Sequence, residues 1–138
     1  MVSLVVDASM TLAWYFEDEQ TLACLAVLRE VSREGALVPS LWRLEVASGF
    51  QAAVRRRRIT DLFRDASLRD LDTLAISIDA ETDRHAWTTT LHLSDRFNLT
   101  IYDAAYLELA RRAGLPLATG DASLARAAAS CGVPVRAV

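Results

Sequence analysis

Five short apolar runs punctuate the chain, and the stretches between them carry helical spacing rather than strand alternation. The runs are Leu4-Val5-Val6, Ala36-Leu37-Val38, Leu74-Ala75-Ile76-Ser77-Ile78, Leu115-Pro116-Leu117-Ala118-Thr119 and Val133-Pro134-Val135. Unbroken apolar runs this short fit strands buried on both faces, as in a parallel sheet. Parallel neighbours need long crossovers, and the intervening segments are long enough to supply them as helices. Helical spacing runs from about Thr11 to Phe16 and from Gln20 to Glu34. It resumes from Ser40, as a cap, to the arginines at 55–58, and again after Thr60 or Asp61 through Leu62, Phe63, Leu68 and Leu71. Further helices are expected from Asp79 to about Phe97, from Thr100 to Gly114 and from Ala122 to Cys131. Gly35, Gly114 and Gly132 stand where helix C-termini favour glycine. The expectation is an α/β fold in three layers: a central, mostly parallel sheet of about four to five short strands, flanked by helices. Residues 1–138 form one domain, and Pro134 marks the last strand as an edge.

A chain of 138 residues, 52% of them hydrophobic, can bury a substantial core. No apolar stretch reaches the roughly 18–20 residues that a membrane-spanning helix requires. The opening MVSLVVDAS lacks a basic leader and meets an acid at Asp7, so it reads as a strand and not as a signal peptide. Cys24 and Cys131 show no metal-type or redox-type spacing, which suits reduced, buried thiols in a cytoplasmic protein. Lysine is absent, and all 15 basic residues are arginine. That excludes a P-loop or any phosphoacceptor site built around a lysine. It also favours planar, bidentate contacts if the ligand is a polyanion.

Right-handed crossovers place the strand-to-helix turns of such a sheet along one edge, where ligands of open α/β folds bind. Four carboxylates fall at such turns: Asp7, Glu45, Asp103 and Asp121. Three have an ordinary reading as well. Asp7 and Asp121 can be helix N-caps, although Ser9 could serve in place of Asp7. Asp103, three residues after Thr100, completes a capping box. Glu45, counted from Ser40, lies beyond the first turn of its helix among Leu41, Trp42, Ser48 and Gly49, with no arginine three or four residues away. An unpaired carboxylate on such a face is costly, which favours a functional role. Taken together, the four acids suit a hard divalent cation, Mg²⁺ or Mn²⁺, which takes oxygen ligands and binds substrate phosphate. Zinc is disfavoured, because His85 and His92 stand seven apart on one helix with no cysteine beside them.

The segments VVDASMTLAWYFEDE, PSLWRLEVASGF and LTIYDAAYLELARRAGLPLATGD, followed by SLARAA and GVPV, resemble the PIN-domain ribonucleases, specifically the VapC toxins of toxin–antitoxin pairs. The resemblance runs from Val2 to Val135. It matches the family's four acidic positions to Asp7, Glu45, Asp103 and Asp121, with Ser9 and Thr119 at supporting polar positions. Gly120 departs from it, standing where a larger residue is common. The resemblance implies a metal-dependent endoribonuclease that uses one or two ions, with Asp7, Asp103 and Asp121 as ligands. Glu45 would bind metal directly or through water, or would orient the nucleophile. It further implies an RNA substrate, a homodimer and a VapB-type antitoxin. Arg55, Arg56, Arg57 and Arg58 read either as a solvated helix C-terminus or as contacts to the RNA backbone. Trp14, Tyr15 and Phe16 read as packing residues. The rival reading is a non-catalytic PIN-like module that binds nucleic acid or protein and whose acids are only caps.

Overall fold

The computed structural model describes residues 2–137; Met1 and Val138 of the expected span lie outside the described residues. Five strands form a single sheet in the order β3-β2-β1-β4-β5, and every pairing is parallel. They are β1 Val5–Val6, β2 Ala36–Val38, β3 Ile76–Ile78, β4 Leu117–Thr119 and β5 Val135–Ala137. The helices are α1 Ala8–Ala13, α2 Leu22–Glu34, α3 Trp42–Arg55, α4 Asp61–Leu71, α5 Thr82–His85, α6 Leu91–Phe97, α7 Ile101–Ala113 and α8 Ala122–Ser130. This is the expected α/β architecture, with a sheet that is parallel throughout. Leu4, Val5, Val6, Ala36, Val38, Leu117 and Ala118 are fully buried, which is why these strands carry no polar alternation. None of the described helices is long and apolar enough to cross a membrane.

The most enclosed helix is α7, where Ala104 through Ala110 are all buried. It packs on β1 and β4 and is covered by α6 and α8. Trp14 and Phe16 join the core as expected, and Phe16 meets Phe50 edge-on at 5.7 Å between ring centres. Gly35 ends α2 at φ 80°, ψ 178°. That region is essentially reserved for glycine, and a Cβ there would lie 2.5 Å from the Ala75 carbonyl oxygen. Cys24 is buried as expected, whereas Cys131 is only half-buried; both thiols are free.

Several boundaries differ from the sequence expectation. The first helix starts at Ala8, not Thr11, because the Asp7 carboxylate accepts the Met10 N–H and caps it there. Ser40 does not cap α3. Its N–H donates to Thr82 Oγ1 (3.1 Å), and α3 starts at Trp42 with Leu41 in the N-cap position and no side-chain cap. Asp79 does not open a helix, since its carboxylate is taken by Arg112, and α5 begins only at Thr82. The expected continuous helix to Phe97 is interrupted by a π-helical turn over Ala86–Thr90. The last strand begins at Val135, not Val133. Pro134 has no N–H for a ladder, and its carbonyl instead accepts the Leu117 N–H at 2.9 Å.

The strand order determines where a site can form. From β1 the chain adds β2 and β3 on one side, then crosses to β4 and β5 on the other. The reversal falls between β1 and β4, the position where open parallel sheets leave a crevice at their carboxyl ends. Asp7 directly follows β1, and Asp121 follows β4 with one residue between.

Candidate active site

Asp7 is the most constrained of the four acids. It is 3% exposed and accepts hydrogen bonds from Ser9 Oγ (2.8 Å), the Met10 N–H (2.8 Å) and Thr119 Oγ1 (2.5 Å). Burial pushes its carboxyl up to about 6, against the lowering effect of these donors, and the charge of Asp103 adds to the rise. Ser9 and Thr119 do more than support Asp7. Ser9 Oγ also accepts the Gly120 N–H (3.0 Å), and Thr119 Oγ1 accepts the Asp121 N–H (2.9 Å). The two hydroxyls therefore stitch the β1 turn to the β4 turn. Asp121 caps α8 by accepting the Leu124 N–H at 2.8 Å.

Asp103 lies in the first turn of α7, but the capping is done by Thr100, whose Oγ1 accepts the Asp103 N–H. No donor among the described residues reaches the Asp103 carboxylate. Burial, together with the charges of Asp121 and Glu45, raises its carboxyl to about 6. Glu45, Asp103 and Asp121, from α3, α7 and the β4 turn, line the same cavity.

The structure differs from the expectation for Glu45 in two respects. Because α3 starts at Trp42, Glu45 lies in its first turn, and its side chain is half-buried, not enclosed. It also has a partner that its own helix could not reveal. Tyr106 Oη donates to Glu45 Oε1 at 2.6 Å, from α7 and 61 positions away. Tyr106 is the site residue that the sequence reading missed; its only signal was a tyrosine three residues after Asp103, one helical turn on.

Asp7, Ser9, Glu45, Asp103, Tyr106 and Asp121 line one cavity of about 360 Å³, closed by Leu12, Ser48 and Gly49. Gly49 lets α1 and α3 approach closely, since a Cβ there would lie 2.3 Å from Leu12 Cδ1. No basic side chain and no histidine is among the lining residues. Among the described residues, no three acidic, histidine or cysteine side chains are already gathered into a metal-ligand cluster. The arginine run lies elsewhere. Ten residues separate Glu45 from Arg55, about 15 Å along α3. Arg58 is committed to Asp18 and Glu19, and its guanidinium sits over the Phe16 ring at 4.7 Å. Arg55, Arg56 and Arg57 are exposed. Two larger clefts, one beside β3 and one between Tyr15 and Phe63, contain no such gathering of acids.

A crevice at the reversal of a parallel sheet, lined by four acids from four separate segments, is the arrangement that the PIN-domain motifs imply. The PIN-domain family model matches residues 4–130. The chain belongs to the PIN-domain family, in its VapC-type ribonuclease branch. It is 34% identical over 106 residues to Ribonuclease VapC3 of Mycobacterium tuberculosis, from both the CDC 1551 / Oshkosh and the H37Rv strains; the match covers 75% of this chain and 73% of that protein. The crystal structure of PAE2754 from Pyrobaculum aerophilum shares the fold, with a TM-score of 0.71 at 21% identity over 98% of this chain and 84% of that one.

Proposed function

We propose that the protein is an endoribonuclease that hydrolyses RNA phosphodiester bonds at the Asp7–Glu45–Asp103–Asp121 cavity with Mg²⁺ or Mn²⁺ bound there, and that it acts as the toxin of a VapB–VapC-type pair. The observation that carries this reading is the convergence of four carboxylates on one cavity with no basic group in its lining. Burial and mutual repulsion lift two of those carboxyls to about 6. At neutral pH the charged forms are crowded, and a divalent cation relieves that crowding. An all-oxygen donor set fits Mg²⁺ or Mn²⁺ rather than zinc.

Asp7, Asp103 and Asp121 are the proposed ligands. Asp7 is held rigid by three donors. Asp103 has both oxygens available, and Asp121 offers the oxygen not used in its cap. Glu45, held through Oε1, has Oε2 available to contact the ion or to orient the attacking water. A divalent ion in this cavity supplies Lewis acidity toward a phosphoryl oxygen and lowers the pKa of water. Ser9 and Thr119 keep the two strand-end turns in register around the reacting phosphate. Arg55, Arg56 and Arg57 are the candidate contacts to a more distant stretch of the RNA backbone. By family, the partners are a second copy of the chain and a VapB-type antitoxin, and the compartment is the cytoplasm.

The test uses a labelled RNA and a copy with a single 2′-deoxy substitution at the cleaved nucleotide. Water as nucleophile predicts cleavage of both, new 5′-phosphate ends, and loss of activity with a chelator. A requirement for the 2′-hydroxyl, or full activity in chelator, would refute the reading. A non-catalytic binding module has some support in the caps made by Asp7 and Asp121. Cleavage by the wild type and its absence in Asp103→Asn would exclude that alternative.

A further inference from the structure

We propose that Tyr106 is a positioning residue of this site, its hydroxyl holding the Glu45 carboxylate at the cavity between α1, α3 and α7. The inference rests on the ribonuclease reading above and extends it to a residue outside the acidic set. Tyr106 is 1% exposed and sits in the most enclosed stretch of the fold, between Ala105 and Leu107. A phenylalanine would fill that volume as well, so packing alone does not call for the hydroxyl. Burying a hydroxyl is costly unless it is hydrogen-bonded, and here its acceptor is Glu45 Oε1 at 2.6 Å. The Tyr106 hydroxyl therefore ties α7, the helix that carries Asp103, to α3, the helix that carries Glu45.

The four acids differ in how they are held. Asp7 has three donors and Asp121 has the first turn of α8. Glu45 has the longest side chain of the four, and Tyr106 is the only donor that reaches its carboxylate among the described residues. Repulsion from Asp103 and the other acids favours rotamers that swing Glu45 toward solvent. A charge-assisted hydrogen bond of this length opposes that swing. Because Tyr106 lies within the buried Ala104–Ala110 stretch of α7, the donor itself cannot follow.

The test compares wild type, Tyr106→Phe, Glu45→Ala and the double variant. The first readout is the Glu45 side-chain carboxylate ¹³C signal in ion-free protein, which needs neither metal nor RNA. The second is Mn²⁺ affinity by calorimetry, and the third is kcat and KM for RNA cleavage. Groups that orient a ligand typically change metal affinity or activity by roughly 10–100-fold when removed. The expected result is a melting curve like the wild type's, a shifted Glu45 signal, and a loss of that size in Mn²⁺ affinity or in kcat with KM little changed. In the Glu45→Ala background, Tyr106→Phe should cause no further loss. An unchanged Glu45 signal, or an equal loss with and without Glu45, would overturn the proposal. A shifted signal in a protein whose wild type neither binds Mn²⁺ nor cuts RNA would leave the contact standing and remove the ribonuclease reading instead.

Discussion

Asp103→Asn should stabilise the ion-free protein at neutral pH while eliminating RNA cleavage. The substitution removes a charge and, from the geometry, no hydrogen bond. The α7 cap is made by Thr100 accepting the backbone N–H of residue 103, and no donor reaches the Asp103 carboxylate. Burial, with the charges of Asp121 and Glu45, moves that carboxyl from the ordinary 3.8 to about 6. Taken at face value, that rise amounts to about 3 kcal/mol at neutral pH. Asp103 is only half-buried, so solvent screening reduces this to about 1–2 kcal/mol. For a domain of this size that is a gain of roughly 3–8 °C in melting temperature. The sign follows from linkage. A carboxyl whose folded pKa is raised contributes its proton-linked stability fully below the unfolded value and loses it as pH rises through about 6. The advantage of Asp103→Asn should therefore be largest near pH 7.5 and shrink toward pH 4. Circular-dichroism melts of both proteins in chelator across that range provide the measurement. A variant less stable than wild type at pH 7.5, or a difference that does not change with pH, would refute the reasoning.

Other regions give separate tests. Arg112 makes paired contacts to Glu108 (2.7 and 3.0 Å) and to Asp79 (3.2 and 2.7 Å), with Glu108 only 3% exposed. Arg112→Ala strands two carboxylates and should cost about 3–5 kcal/mol in urea unfolding; Arg112→Lys, lacking the fork, should recover little. Burial pushes the Asp79 carboxyl up, but the donors Arg112 and Thr82 outweigh it and hold the group below the usual carboxylate range. Its contribution is present above the ordinary carboxylate pKa and is lost as pH falls through the lowered one, a dependence that should vanish in Arg112→Ala. Gly35→Ala should cost roughly 1–3 kcal/mol from its backbone conformation alone, and more from the approach to the Ala75 carbonyl. Mg²⁺ or Mn²⁺ at millimolar concentration should raise the wild-type melting temperature by mass action, and should do so less in Asp7→Asn and Asp103→Asn.

The sheet was legible because its strands are short, apolar and spaced by helical segments, and because Gly35 and Gly114 end helices where left-handed or glycine-only backbone is needed. Helix starts were less legible where a capping residue was claimed by a distant partner. The Asp79 carboxylate is held by Arg112, 33 positions away, a contact that local pattern does not encode. The placement of Asp7, Asp103 and Asp121 followed from the parallel-sheet topology. Glu45 lines the same cavity as the three aspartates, but helical spacing showed no partner for it, because that partner, Tyr106, lies on another helix. The arginine run shows the converse limit. Four identical residues in a row, all exposed, differ in role: Arg58 is tied to Asp18, Glu19 and Phe16, and the other three make no ion pair among the described residues.

The most direct measurement is cleavage of a labelled RNA by the purified protein in Mn²⁺, run beside Asp7→Asn, Glu45→Gln, Asp103→Asn and Asp121→Asn, with melting curves to verify that each is folded. One shared site predicts that all four folded variants lose at least about a hundredfold in rate, as expected when groups at the reacting centre are lost or misplaced. Wild-type rates in the folded variants would contradict the claim that these four carboxylates form the active centre.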